Sequence, residues 1–229
     1  MAERGYSFRQ ILAKYFPGTS LGPQTDAANV GERRSSHFHV NFPASDAKGA
    51  ERVINLLESS RNVLTHRLSS AGIEFQFPEV EIFINKTTGD FVGRTGMPAW
   101  AAAATRNNRI ELQPLSVLKR RGILETTLRH ELVHVVIDTV GGKQTPRWLA
   151  EGLALYVAGE GKLLERHARG PTISLDDLER KLATAKSADE MKSAYAAAYK
   201  TVRDLIRLEG EIKLWQRVAQ RSYDASAKL

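Results

Sequence analysis

Cysteine is absent from these 229 residues. That excludes a disulfide framework and the cysteine-rich zinc modules, but it selects no compartment, since envelope proteins also manage without the residue. Long apolar runs are missing too. None approaches the roughly 18 residues of a membrane span, and the opening MAERGYSFRQILAKYFPG lacks the apolar core of a secretory signal. There is no internal repeat and no low-complexity tract. Aromatic residues make up only 7% of the chain, and no row of them alternates with the basic residues, so no specific nucleic-acid partner is expected.

What is present is a globular composition. With 42% hydrophobic and 26% charged residues, the chain has the means to build one core, in one or two lobes. The formal net charge of +7 favours encounters with anionic material, which includes nucleic acid, anionic wall polymers and acidic lipid. The basic residues are spread along the chain, and the plain reading of such a charge is a solvated basic surface.

Residues 1–35 differ from the rest. A short helical segment, SFRQILAKYF, precedes PGTSLGPQTDAANVGERRSS, whose Gly, Pro, Ser, Thr and Asn read as a linker. The main domain is placed at 36–229. SHFHVNFPA alternates as a strand, DAKGAERVINLLESSRNVLTHRLSSAG carries a helical period, EVEIFINKT is a second strand, and TTGDFVGRTG reads as a turn into irregular chain. NN then forms a turn before the strand RIELQ, in which Ile110 and Leu112 face one way and Arg109, Glu111 and Gln113 face a wet side. From Gly122 the signals are helical: 123–138, a helix opened by Pro146, two helices with capping patterns at Ser174 to Asp177 and Ser187 to Glu190, and a last one over 211–222 after Gly210. The fold class expected is α+β, with a small mixed β/α lobe (36–121) followed by a mainly helical lobe (122–229).

LRHELVHVVIDTV, residues 128–140, carries the chemistry. Leu128, Leu132, Val133, Val136 and Ile137 recur at helical spacing, yet His130, Glu131 and His134 interrupt them, and burying such groups without partners is expensive. Residues four apart lie about 40° apart around a helix, so both imidazoles can point at one atom, and Glu131, about 100° further round, can reach a water there. A catalytic zinc site takes three protein ligands and keeps a fourth position open. The third is expected from PRWLAEGLALYV, where Glu151 stands in an otherwise apolar helix beyond a Gly141–Gly142 turn. By chance, H-E-x-x-H would occur in roughly one chain in a hundred of this composition.

The remaining candidates carry less. Tyr195 and Tyr199 share one face of a later helix, and either could donate to a developing oxyanion or simply pack its ring with the hydroxyl at the rim. Asp138 is placed to orient His134 or to sit solvated in the last turn. His37 and His39, two apart on a strand, read as structural, and His66 and His167 carry no site signal. RIELQ is the candidate edge strand for an extended substrate, with Arg109 or Gln113 near the cleft, or else an edge with no role beyond the fold.

HELVH followed by WLAEGLA resembles the gluzincin branch of zinc metallopeptidases. GMPAWAAAA, RIELQP and LRHELVHVVI, in that order, resemble the bacterial peptidase MA-like family over about residues 36–220. The resemblance implies a zincin-like fold with an edge strand before the active helix, one Zn2+ held by His130, His134 and Glu151, Glu131 as general base, and Tyr195 rather than Tyr199 at the oxyanion. The family's usual continuation past the last helix is shortened here. RGYSFRQILAKYFPGTSL resembles the closing segment of stage II sporulation protein D-like domains, which act on peptidoglycan. That resemblance implies the C-terminal part of a longer, extracytoplasmic envelope protein, with a signal peptide upstream and an anionic cell-wall polymer as a partner for the basic charge.

The expected function is therefore a metallopeptidase acting on a peptide or protein substrate. Two alternatives stay open: a non-catalytic zinc-containing module that binds wall polymer or another polyanion, and a zinc amidase acting on peptidoglycan peptides.

Overall fold

Five strands form one mixed sheet in the order β1-β2-β3-β5-β4. The computed structural model describes residues 30–142, 144–165, 173–185 and 187–220. The strands are β1 (Val30–Arg34), β2 (Phe38–Pro43), β3 (Val80–Ile84), β4 (Ala103–Arg106) and β5 (Arg109–Leu112). β2, β3 and β5 run parallel, while β1 and β4 pair antiparallel with β2 and β5. Alternation explains the central strands: Phe38, Val40, Val80 and Ile82 project to one side and are fully buried. Parallel neighbours require a crossover, and α1 (Ala47–Ser70) supplies it between β2 and β3. Further helices are α2 (Thr88–Thr95), α3 (Leu115–Arg120), α4 (Leu124–Val140), α5 (Arg147–Ala158), α6 (Gly161–Leu164), α7 (Leu175–Thr184), α8 (Ala188–Glu209) and α9 (Glu211–Gln220). The architecture is α+β, a small β/α lobe followed by a helical lobe.

The chain forms two compact units, divided inside α1, after Gln76 and inside α4. The first contains the described residues through Ser60 together with Phe77–Glu131; the second contains Arg61–Gln76 and the described residues from Leu132 onward.

The first unit holds the sheet. Three expectations change there. Val30–Arg34, expected as the end of a linker, pairs with β2 from Val30 opposite Pro43 to Arg34 opposite His39. The short helix expected over residues 7–16 lies outside the described residues. TTGDFVGRTG, expected as a turn, forms α2, because Thr87 and Asp90 cap it reciprocally and Gly96 closes it at φ 67°.

The third change concerns RIELQ, which is not an edge. β5 lies between β3 and β4, and Glu111 and Gln113, expected to be wet, are 7% and 0% exposed. They tolerate burial because the protein satisfies them. Glu111 accepts from Asn85 Nδ2 at 3.0 Å and from Arg109 Nη2 at 2.6 Å. Gln113 Nε2 donates to the carbonyls of Ala99 and Ala101, each at 3.1 Å, and its Oε1 accepts from Thr88 at 2.9 Å. The edge strand ahead of α4 is β4.

The second unit is helical. Ser174 and Ser187 cap α7 and α8 through the amides of Asp177 and Glu190, at 3.1 and 3.2 Å, as expected of their capping patterns. Two glycines mark close approaches. A Cβ on Gly152 of α5 would collide with Val202 and come within 2.6 Å of the Ala198 carbonyl on α8, and one on Gly141 would lie 2.9 Å from the Val218 carbonyl of α9. Small residues at these points let the helix backbones meet.

Candidate metal centre

α4 and α5 carry the site. His130 and His134 are one turn apart on α4, and the ligand atoms of His130, His134 and Glu151 all lie within 4.8 Å of one another. His134 Nε2 and Glu151 Oε2 are 3.5 Å apart. Two donors bound at about 2.1 Å to one tetrahedral ion stand about 3.4 Å apart, so this spacing suits a shared cation. His130 is 9% exposed, and the side chains of His134 and Glu151 are 21% and 22% exposed, which shields the donors while leaving the group reachable. The three sequence-derived ligand candidates are thus together, and they have the geometry to hold one metal ion.

Several contacts fix the helix that brings Glu151. α5 follows Pro146 with no side-chain cap of its own, and its first amides would otherwise stay unsatisfied. Glu179 of α7 accepts from the backbone N–H of Arg147 at 3.0 Å and of Trp148 at 3.1 Å. A carboxylate at that end also complements the helix dipole. The close approach at Gly152, next to Glu151, sets the depth of α5 against α8.

Glu131 is half-buried on α4, and its Oε2 accepts a hydrogen bond from Thr105 Oγ1 of β4 at 2.6 Å.

Compared with protein-family models, curated proteins and solved structures, the chain matches none. The residues alone therefore carry the reading.

The other candidates separate clearly. Tyr199 is buried, its ring occupying the place that a side chain at Gly161 would need. Burial, reinforced by Glu165, pushes its hydroxyl pKa up, as fits a packed tyrosine. Tyr195 is half-buried on the same stripe of α8 as Ala198, Tyr199 and Val202, one turn before the crossing at Gly152. Asp138 is exposed. His37 and His39 do not converge: His37 Nδ1 lies 3.3 Å from Glu58 and His39 Nε2 lies 3.3 Å from Glu32, which agrees with structural roles. His66 is exposed, and His167 lies outside the described residues. Trp100 does not fill core, being 43% exposed.

Sequence reasoning missed Thr105 and Glu179. The contact of Thr105 spans 26 positions and those of Glu179 span 32 and 31, beyond the reach of any local pattern.

Proposed function

We propose that the chain is a zinc-dependent metallopeptidase of gluzincin type that hydrolyses peptide bonds in a peptide or protein substrate. The single observation that carries this reading is the convergence of His130, His134 and Glu151 within 4.8 Å, with Glu131 next in the chain. Two imidazoles and a carboxylate favour zinc among the common divalent ions. When bound, zinc supplies a lowered pKa for its water, toward about 7, and Lewis-acid polarisation of the scissile carbonyl.

The protein's own residues do the rest. His130, His134 and Glu151 would hold the ion. Glu131, with Oε2 held by Thr105, uses Oε1 to take the proton of the attacking water and to return it to the leaving amine. Tyr195 is the proposed donor to the oxyanion. β4 is the proposed docking strand. In its antiparallel pairing with β5, Gln113 donates to the Ala102 carbonyl at 3.0 Å, so by alternation the main-chain groups of Ala103 and Thr105 point to the open edge, where an extended peptide would add as a strand. The family proposed is the bacterial peptidase MA-like one, on the strength of GMPAWAAAA, RIELQP and LRHELVHVVI in that order.

The test is to measure bound metal and peptide hydrolysis for the native chain and for Glu131→Gln. The variant is expected to keep one zinc per chain and lose turnover. Equal turnover would end the general-base assignment. Salt-sensitive binding of an anionic polymer with no peptide cleaved would favour a non-catalytic module, and release of stem peptides from purified peptidoglycan would point to an amidase.

A further inference from the structure

We propose that Thr105 is the positioning residue for Glu131, tying the orientation of the general base to the edge strand that receives the substrate. The inference rests on the metallopeptidase reading and adds a residue and a coupling to it.

Thr105 faces two ways. Opposite Ile110 it occupies a position of the β4–β5 hairpin whose backbone groups turn away from β5. Its hydroxyl meanwhile donates to Glu131 Oε2 at 2.6 Å. Short hydrogen bonds to a carboxylate are charge-assisted and directional. A glutamate on a helix has three side-chain torsions, and a β-branched donor is stiff at χ1, so Thr105 removes freedom from the base while losing little of its own.

The strand that carries Thr105 is itself anchored. The fully buried Gln113 binds the carbonyls of Ala99 and Ala101, and Arg121 Nη1 donates to the Trp100 carbonyl at 3.2 Å. On the far side Asn107, at φ 53°, closes the hairpin. A peptide that joins the edge at Thr105 therefore binds to the same residue that aims the carboxylate.

The experiment compares Thr105→Val, which keeps the shape and removes the donor, with Thr105→Ser, which keeps the donor. In the zinc-loaded full chain, the Val variant is expected to lose about tenfold or more in kcat with KM changed less than about twofold, and the Ser variant to recover most of that loss. Zinc content should stay at one per chain in both. Infrared spectra of the metal-free protein labelled with 13C at the glutamate carboxyl provide a readout without substrate. Thr105→Val should displace a carboxylate stretch, and the same substitution in a Glu131→Gln background should not. Unchanged kcat in Thr105→Val, failure of Ser to restore it, or the absence of a displaced band would overturn the proposal while leaving the metallopeptidase reading in place. A native chain that cleaves no peptide yet gives the displaced band would instead sink the metallopeptidase reading and uphold the contact.

Discussion

Two regions bury polar side chains among apolar ones, and they arrange them differently. In β5, Glu111 and Gln113 are almost wholly shielded, and each is met by several groups of the protein: Asn85 and Arg109 for one, Thr88 and two carbonyls for the other. In α4 and α5, His130, His134 and Glu151 bring their ligand atoms within 4.8 Å of one another. Burial of polar groups alone does not separate structure from chemistry.

Substitution is the sharpest way to break this comparison. His134→Ala should produce the largest effect, weakening zinc binding by at least about hundredfold, as read by titration calorimetry, because two donors cannot replace three. In the native chain, zinc at a hundred times its dissociation constant should raise unfolding stability by about 2.7 kcal/mol, and at the same zinc concentration that gain should fall to about 0.4 kcal/mol or less in the variant.

Gln113→Ala should act on the other side of the comparison, costing about 3 kcal/mol in urea denaturation by leaving the Ala99 and Ala101 carbonyls and the Thr88 hydroxyl without their partner. Its metal stoichiometry should stay at one. A variant that lost zinc and kept its stability would reverse the assignment of the two regions.

Gly152→Ala tests the junction between packing and chemistry. The added methyl meets Val202 and the Ala198 carbonyl, so a loss of about 2 kcal/mol is expected, together with weaker zinc binding as Glu151 moves with α5. Thermal denaturation with and without zinc separates the two components.

The smallest effect is expected at Asp204. Burial works to raise the Asp204 carboxyl, but hydrogen bonds and charges from Lys200 and Arg203 outweigh it and hold the pKa below the usual range. A folded pKa below the unfolded one, about 3.9, contributes stability that is present above that value and lost as pH falls through the folded pKa. Asp204→Asn should therefore flatten the acid limb of the stability profile and leave zinc binding unchanged.

The three metal-ligand candidates were legible because each sits in a local pattern. His130 and His134 share a helical face at a spacing of four, and Glu151 is a carboxylate in an apolar helix just past a glycine turn. The helical lobe was legible for the same reason, since Ser174, Ser187 and Gly210 mark element ends within a few residues. The position of β5 inside the sheet was not, because alternation assigns Glu111 and Gln113 to a face without saying whether water covers it. α2 was missed although Thr87 and Asp90 form a capping pattern, because Gly89 and Gly93 lower helix propensity. Thr105 and Glu179 act across long sequence separations, and only the folded chain brings them to their partners.

The two rims of the sheet are dressed differently. β1 carries Glu32, Arg33 and Arg34, while β4 offers Ala103, Ala104 and Thr105 before its first charge at Arg106. Charged side chains discourage a neighbouring strand from attaching, and small uncharged ones do not. Crowded solutions of this protein should consequently begin to self-associate along the alanine rim, and a lysine introduced at Ala104 would keep it dispersed.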